Sequence, residues 1–238
     1  MKATSRAPRI IGRIVKSLFV LLILAVNAII VWRILFSDKL PERVDALTPN
    51  AALSAAAAQY GDGLILQYQE QATVTKGGRS YGYFGIPEAV FIPEANQVQI
   101  VFRYNNSTLK NVARDYGLPD TPDKAAHLFD VTLVRTVDLT PTVSADNADP
   151  DFLDTVRYFP TEASVVRDTT KLYTYYRYVF EGVTVDAGTV GVFADVYYVG
   201  DVNYEKEAYG TLCLYDREMP WLPYKTDAKD RRALGLAD

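Results

Sequence analysis

Two hydrophobic patterns divide the chain. Leu18–Trp32 reads LFVLLILAVNAIIVW, apolar except for Asn27, and beyond Arg33 come Ile34, Leu35 and Phe36. A helix over residues 17–36 is about as long as the ~20 residues that a bilayer's hydrocarbon core requires. From Leu64 onward the period changes to two. Val98, Ile100, Phe102 and Tyr104 alternate with Gln99, Val101 and Arg103, and Phe129, Val131, Leu133 and Val137 alternate with Asp130, Thr132 and Thr136. Leu172, Tyr176, Tyr178 and Phe180 share one face of 171–181; Val190, Val192, Ala194, Val196 and Tyr198 share one face of the next segment; Leu212 and Leu214 share one of the last. This alternation, rich in Val, Tyr and Phe, predicts half-buried strands. With Glu88–Ile92 and Thr155–Phe159 it gives eight or nine. Short antiparallel strands between turn signals predict a mainly β fold: an immunoglobulin-like antiparallel β-sandwich with one or two short helices.

Punctuation refines the elements. Thr48-Pro49 reads as an N-cap with Pro at N1 of an Ala-rich helix over 49–60, stopped by Gly61. It offers little apolar area, so a stalk is favoured over a packing face. Gly77-Gly78 predicts a hairpin between Leu64–Thr75 and Arg79–Phe84. Ser107 or Thr108 caps a helix over Leu109–Tyr116 that ends at Gly117, and a last short helix starts at Asp227. Leu118–Pro122 is a loop. The expected organisation is a basic segment at 1–16, a span at 17–36, a linker at 37–62, the sandwich at 63–216 and a tail at 217–238.

Charge orients the span. Six of the 25 basic residues and none of the 29 acidic ones fall in the first 36 positions, which leaves the other 202 residues at −10. The five cations ahead of the span stay cytoplasmic, so the main domain is expected outside the cytosol. Leu18 opens the span; Trp32 and Arg33 suit its outer interface. Val26-Asn27-Ala28 also fits a cleavage site after Ala28, but cutting there leaves the greasy terminus IIVWRILF, so an uncleaved signal anchor is favoured. An acidic domain disfavours nucleic acid.

Candidate chemistry is sparse. Cys213 has no second cysteine to bridge, and its alternating neighbours make it a half-buried strand thiol. His127 is the single imidazole, and nothing beside it nominates a nucleophile. Two such residues cannot fill a zinc site. No phosphate loop or dinucleotide fingerprint occurs, and no cofactor is implied. Asp146, Asp149 and Asp151 are the candidate calcium ligands, in SADNADPDFLD. That segment lacks the glycine and the closing glutamate of an EF-hand, and reads otherwise as a solvated acidic loop. Among 17 tyrosines, Tyr173 and Tyr175 point opposite to Tyr176 and Tyr178, in a strand expected to neighbour that of Tyr197. Tyr173, Tyr175 and Tyr197 are the candidate ligand contacts, because exposed tyrosines offer area at small entropic cost.

The segment VQIVFRYNNSTLKNVARDYGL at Val98–Leu118, the closing strand Thr211–Asp216 and the basic anchor resemble uncharacterised single-pass envelope proteins of Gram-positive Clostridia-type bacteria. The resemblance implies an envelope protein and carries no catalytic motif. The reading is thus a module of the cell membrane, N-terminus cytoplasmic, held in the bilayer by residues 17–36. It would bind or scaffold another envelope protein or a cell-wall glycan without catalysis. Two alternatives stand beside it. One is a subunit of a larger membrane complex, cued by the mid-span amide Asn27. The other is an envelope hydrolase that uses two carboxylates in a cleft.

Overall fold

The computed structural model describes residues 7–36, 39–69, 73–76, 84–138, 153–161, 165–205, 207–218, 220–224 and 227–236. The chain forms two units, Met1–Pro41 and Glu42–Asp238. In the first, a single helix α1 (Ala7–Phe36) carries the apolar window Val15–Trp32, no part of which is buried. Its length and composition suffice to cross a membrane. Asn27 Nδ2 donates to the Ile23 carbonyl at 2.9 Å, so part of the amide is satisfied within the helix.

In the second unit the period-two segments become two antiparallel sheets packed as a sandwich. Along the chain run β1 (Leu66–Gln69), β2 (Thr73–Lys76), β3 (Phe84–Ile92), β4 (Gln97–Asn105), β5 (Phe129–Asp138) and β6 (Leu153–Tyr158). They are followed by β7 (Val166–Thr169), β8 (Tyr173–Glu181), β9 (Thr189–Tyr198), β10 (Gly210–Asp216) and β11 (Leu222–Tyr224). The six-stranded sheet has the order β11-β1-β3-β4-β8-β7, and the five-stranded sheet β2-β10-β9-β5-β6. Between them lie the faces that alternation predicts: Val98, Ile100, Phe102 and Tyr104 of β4, Phe129, Val131 and Leu133 of β5, Tyr176, Tyr178 and Phe180 of β8, and Val192, Ala194 and Val196 of β9. Phe129 is the aromatic hub. Its ring meets Phe84 at 5.0 Å and Tyr104 at 4.9 Å, both edge to face.

The six-stranded sheet is also covered on its outer face, which revises two expectations. Val90, Ile92 and Leu66 form a second cluster with Leu47, Leu64, Leu234 and the helix α3 (Ala51–Tyr60). Leu53, Ala56 and Ala57 of α3 are buried there, so the Ala-rich helix is a packing element and not a stalk. Small side chains let it lie close to the strands. The C-terminal segment joins in through β11, which pairs with β1, and through α5 (Ala228–Ala233). Residues 42–62 and 217–236 therefore belong to the domain.

The outer-face polar residues explain the local geometry. The Gln99 amide donates to the Thr48 carbonyl at 2.9 Å and accepts from the Thr48 N–H at 2.8 Å. That exchange ties Thr48 to β4, and α3 begins at Ala51 with Asn50, not Thr48, as its cap; Asn50 accepts from Leu53 N at 2.9 Å. Arg177, fully buried in β8, donates to the carbonyls of Val44 and Asp45 in a single helical turn, α2 (Glu42–Asp45), and pairs with Glu88.

One predicted hairpin is not formed as expected. β1 pairs with β3 and β11, whereas β2 pairs with β10 in the other sheet, so Leu64–Thr75 is not one arm. Gly77-Gly78 lies outside the described residues. The predicted helix after β4 is α4 (Thr108–Asp115), and Gly117 follows it at a positive φ of 61° that favours glycine.

Candidate functional site

The outer face of the five-stranded sheet collects the functional groups. Alternation turns Phe193, Asp195 and Tyr197 of β9 away from the core, along with Thr132 and Val134 of β5. Register then aligns them: Asp195 lies between Thr132 and Thr211, and Val134 between Phe193 and Arg157 of β6. The segment between β9 and β10 folds back over this face and brings Tyr204, Glu205, Glu207 and Ala208. Together they line an open groove of about 750 Å³.

Arg157 organises one wall. Its Nη1 donates to Thr132 Oγ1 at 2.8 Å, to the Tyr197 hydroxyl at 2.9 Å and to Asp195 Oδ2 at 3.4 Å; its Nη2 reaches the Tyr204 carbonyl at 3.4 Å. The guanidinium also lies 5.5 Å from the Tyr197 ring centre and 5.8 Å from that of Tyr204. Asp195 Oδ1 accepts from Thr211 at 2.7 Å. Burial, then the neighbouring Asp195 carboxylate, push the Tyr197 phenol above its ordinary value, so it acts as a neutral donor. The Tyr204 ring is wedged edge to face between Tyr197 at 5.0 Å and Phe159 at 5.1 Å, which pins the returning segment.

The floor is apolar. A Cβ placed on Gly191 would come within 2.6 Å of the Phe193 ring, so that ring lies across the bare glycine backbone. Val134 and Ala208 complete this surface.

A smaller hollow of about 330 Å³ lies beyond Tyr204, lined by His127, Asp130, Thr132, Phe159 and Tyr178 among others. His127 Nε2 and Asp130 Oδ1 are 2.7 Å apart. The Thr132 hydroxyl accepts from Arg157, so it is engaged in the groove network. Among the described residues no group of three or more His, Cys, Asp or Glu side chains could hold a metal. Asp146, Asp149 and Asp151 lie outside the described residues. Asp154 is exposed at the start of β6, where its carboxylate accepts its neighbour's N–H, from Thr155.

The tyrosine candidates separate. β8 and β9 belong to different sheets, so Tyr173 and Tyr175 lie on one outer face of the sandwich and Tyr197 on the other. Tyr173 is half-buried under the Arg103 guanidinium, 4.8 Å from its ring centre. Tyr175 and Tyr197 are only 2% and 4% exposed, against the expectation of open rings, because neighbouring groups cover both outer faces. Tyr197 contributes through its hydroxyl. Leu18, Asn27 and Trp32 are exposed on α1, and Arg33 falls within the same helix. Sequence reasoning missed Arg157, Phe193, Asp195, Tyr204, Glu205 and Glu207. The outward Phe193 and Asp195 in VGVFADVYY were its available signal.

Among the described residues, the carboxylates held above their ordinary values, Glu88 and Asp230, are not in the groove. Burial raises both, and they sit beneath α2 and in α5 as parts of the outer-face packing. Comparison with protein-family models, curated proteins and solved structures finds no match.

Proposed function

We propose that the chain is a single-pass membrane protein whose immunoglobulin-like domain acts outside the cytosol as a non-catalytic binding module. The strand order supports the fold. β3-β4-β8-β7 facing β10-β9-β5-β6 corresponds to strands A-B-E-D facing G-F-C-C′ of immunoglobulin sandwiches, with β1, β2 and β11 as additions. The exposed apolar window of α1 and the cations ahead of it support a signal anchor with the N-terminus in the cytoplasm. The bilayer is then one partner. The other is an envelope protein or a cell-wall glycan, in keeping with the resemblance to envelope proteins.

The observation that carries the binding reading is the groove on the G-F-C-C′ face. It is wide, partly apolar and built on paired strands, and its central charges, Arg157 and Asp195, are already satisfied by each other and by hydroxyls. Such groups orient a ligand more readily than they attack one. The hydrolase alternative would be supported by acids of raised pKa lining a cleft, and among the described residues the raised pair, Glu88 and Asp230, lies outside the groove. The complex-subunit alternative rests on Asn27, whose amide retains hydrogen-bonding capacity beyond its bond to Ile23.

The test is made in intact cells with a photo-crosslinking residue at position 207 on the groove rim or at position 181 on the opposite sheet. Adducts to an envelope component from 207 and not from 181 are expected. Equal adducts from both, or none from 207, would sink the reading. Protease added to spheroplasts should digest the domain; full protection until lysis would overturn the topology.

A further inference from the structure

We infer that the groove receives an extended lysine- or arginine-bearing segment of a partner protein. The inference rests on the binding-module reading and names its ligand class. Four charges line the groove: Arg157, Asp195, Glu205 and Glu207. Arg157 and Asp195 neutralise one another, with Thr132, Tyr197 and Thr211 filling their remaining bonds. Glu205 and Glu207 are exposed at the rim. Among the described residues no cation stands within ion-pair distance of either. The returning segment 201–207 carries three acids and one lysine, and the chain beyond residue 36 carries −10. A field of that sign draws cations in and repels polyanions.

Shape and chemistry then select among cationic ligands. The Phe193 ring, whose outer edge lies over Gly191, continues into Val134 and Ala208 and offers an apolar strip beneath the two carboxylates. A lysine or arginine side chain matches both layers. Its methylene stem lies on the strip, its charge faces the aromatic ring, and its N–H groups reach a rim carboxylate. The segment is anchored on either side of the rim. Tyr204 is wedged between two rings, and at the far end of the segment Tyr209 donates to Asp115 at 3.0 Å.

The experiment uses the full chain in nanodiscs of zwitterionic lipid. Three probes are titrated: a labelled octapeptide alternating lysine and serine, its Nε-acetylated form, and a neutral tetramer of N-acetylglucosamine. The lysine peptide should bind saturably, and acetylation should weaken it at least about tenfold. Raising salt from about 50 to about 500 mM should weaken it further. Glu205→Gln with Glu207→Gln should cost about tenfold, whereas Asp168→Asn with Glu181→Gln, both on the opposite sheet, should leave affinity within about twofold. Equal loss from both pairs would mean diffuse attraction to an acidic domain and would overturn the inference, as would equal binding of the acetylated peptide. Binding of the neutral sugar alone, abolished by Phe193→Ala, would overturn the cationic class and leave the binding module standing. Absence of any bound probe together with no crosslink from position 207 would overturn both.

Discussion

Arg177 and Glu88 pair at 2.5 Å beneath α2, with no part of the arginine side chain exposed. Arg177 also donates to the carbonyls of Val44 at 2.8 Å and Asp45 at 3.2 Å. One guanidinium therefore joins β8, β3 and the first turn of the domain. Removing one partner of a buried pair leaves the other charged and uncompensated, at a cost of about 3–5 kcal/mol. Glu88→Ala should fall near the lower end, because Glu88 keeps some solvent contact. Arg177→Met should destabilise comparably and also release α2. The expected signature is faster tryptic cleavage after Arg43 in that variant, beyond what its lower melting temperature explains. Unchanged cleavage would refute the clamp.

Burial and then the nearby Asp227 carboxylate hold the Asp230 pKa above the ordinary aspartate range. The folded chain thus keeps this proton longer than the unfolded chain does. Stability from the group is full below the unfolded value and is lost as pH rises through the raised folded one. Asp230→Asn removes that loss. It also relieves Glu88, whose own raised pKa owes part of its shift to Asp230. Unfolding free energies from urea titrations should show the variant gaining on the parent as pH climbs from the ordinary aspartate range, then running parallel. A difference independent of pH would contradict the assignment.

The inner faces of the strands were legible because period two needs no knowledge of partners. Phe102, Tyr178 and Val196 stand where alternation puts them. The outer face was not legible. Gln99 and Arg177 stand opposite the apolar faces of their strands by alternation, yet both are buried because they satisfy backbone groups of residues 44–48. An Ala-rich helix offers too little apolar area to announce a packing face, until strands that are apolar on both sides need covering. The groove follows the same logic. Phe193 and Asp195 are outward by alternation, but Arg157 and Glu207 reach them only through strand order and register, which a single sequence does not encode locally.

That packing role is open to a direct test at Leu53, which is 1% exposed in α3. Leu53→Ala should cost about 2–4 kcal/mol through lost transfer energy and a residual cavity. The same change in a solvated stalk helix would stay within about 0.5 kcal/mol. Thermal or urea unfolding of the full chain in detergent separates the two. A negligible loss would return residues 51–60 to the status of a linker.

Gly191 separates the groove from the stability of the sandwich. Its φ is not in the left-handed region, so alanine meets no backbone strain there. The new methyl would meet the Phe193 ring at 2.6 and 2.8 Å, and the Tyr215 carbonyl at 3.4 Å. The first two contacts are far too short, but they involve the outer edge of a half-exposed ring that can swing off the sheet. Gly191→Ala should therefore cost little stability, about 1 kcal/mol or less, because the core beneath is untouched. It should nevertheless lift the groove floor and weaken the lysine peptide by about tenfold, since the stem loses its apolar bed. Phe193→Ala, which deletes the bed outright, should match it in binding. If Gly191→Ala unfolds the domain, the ring is locked in place and the floor is part of the core. If it leaves both folding and peptide affinity unchanged, Phe193 is not the surface on which the ligand rests.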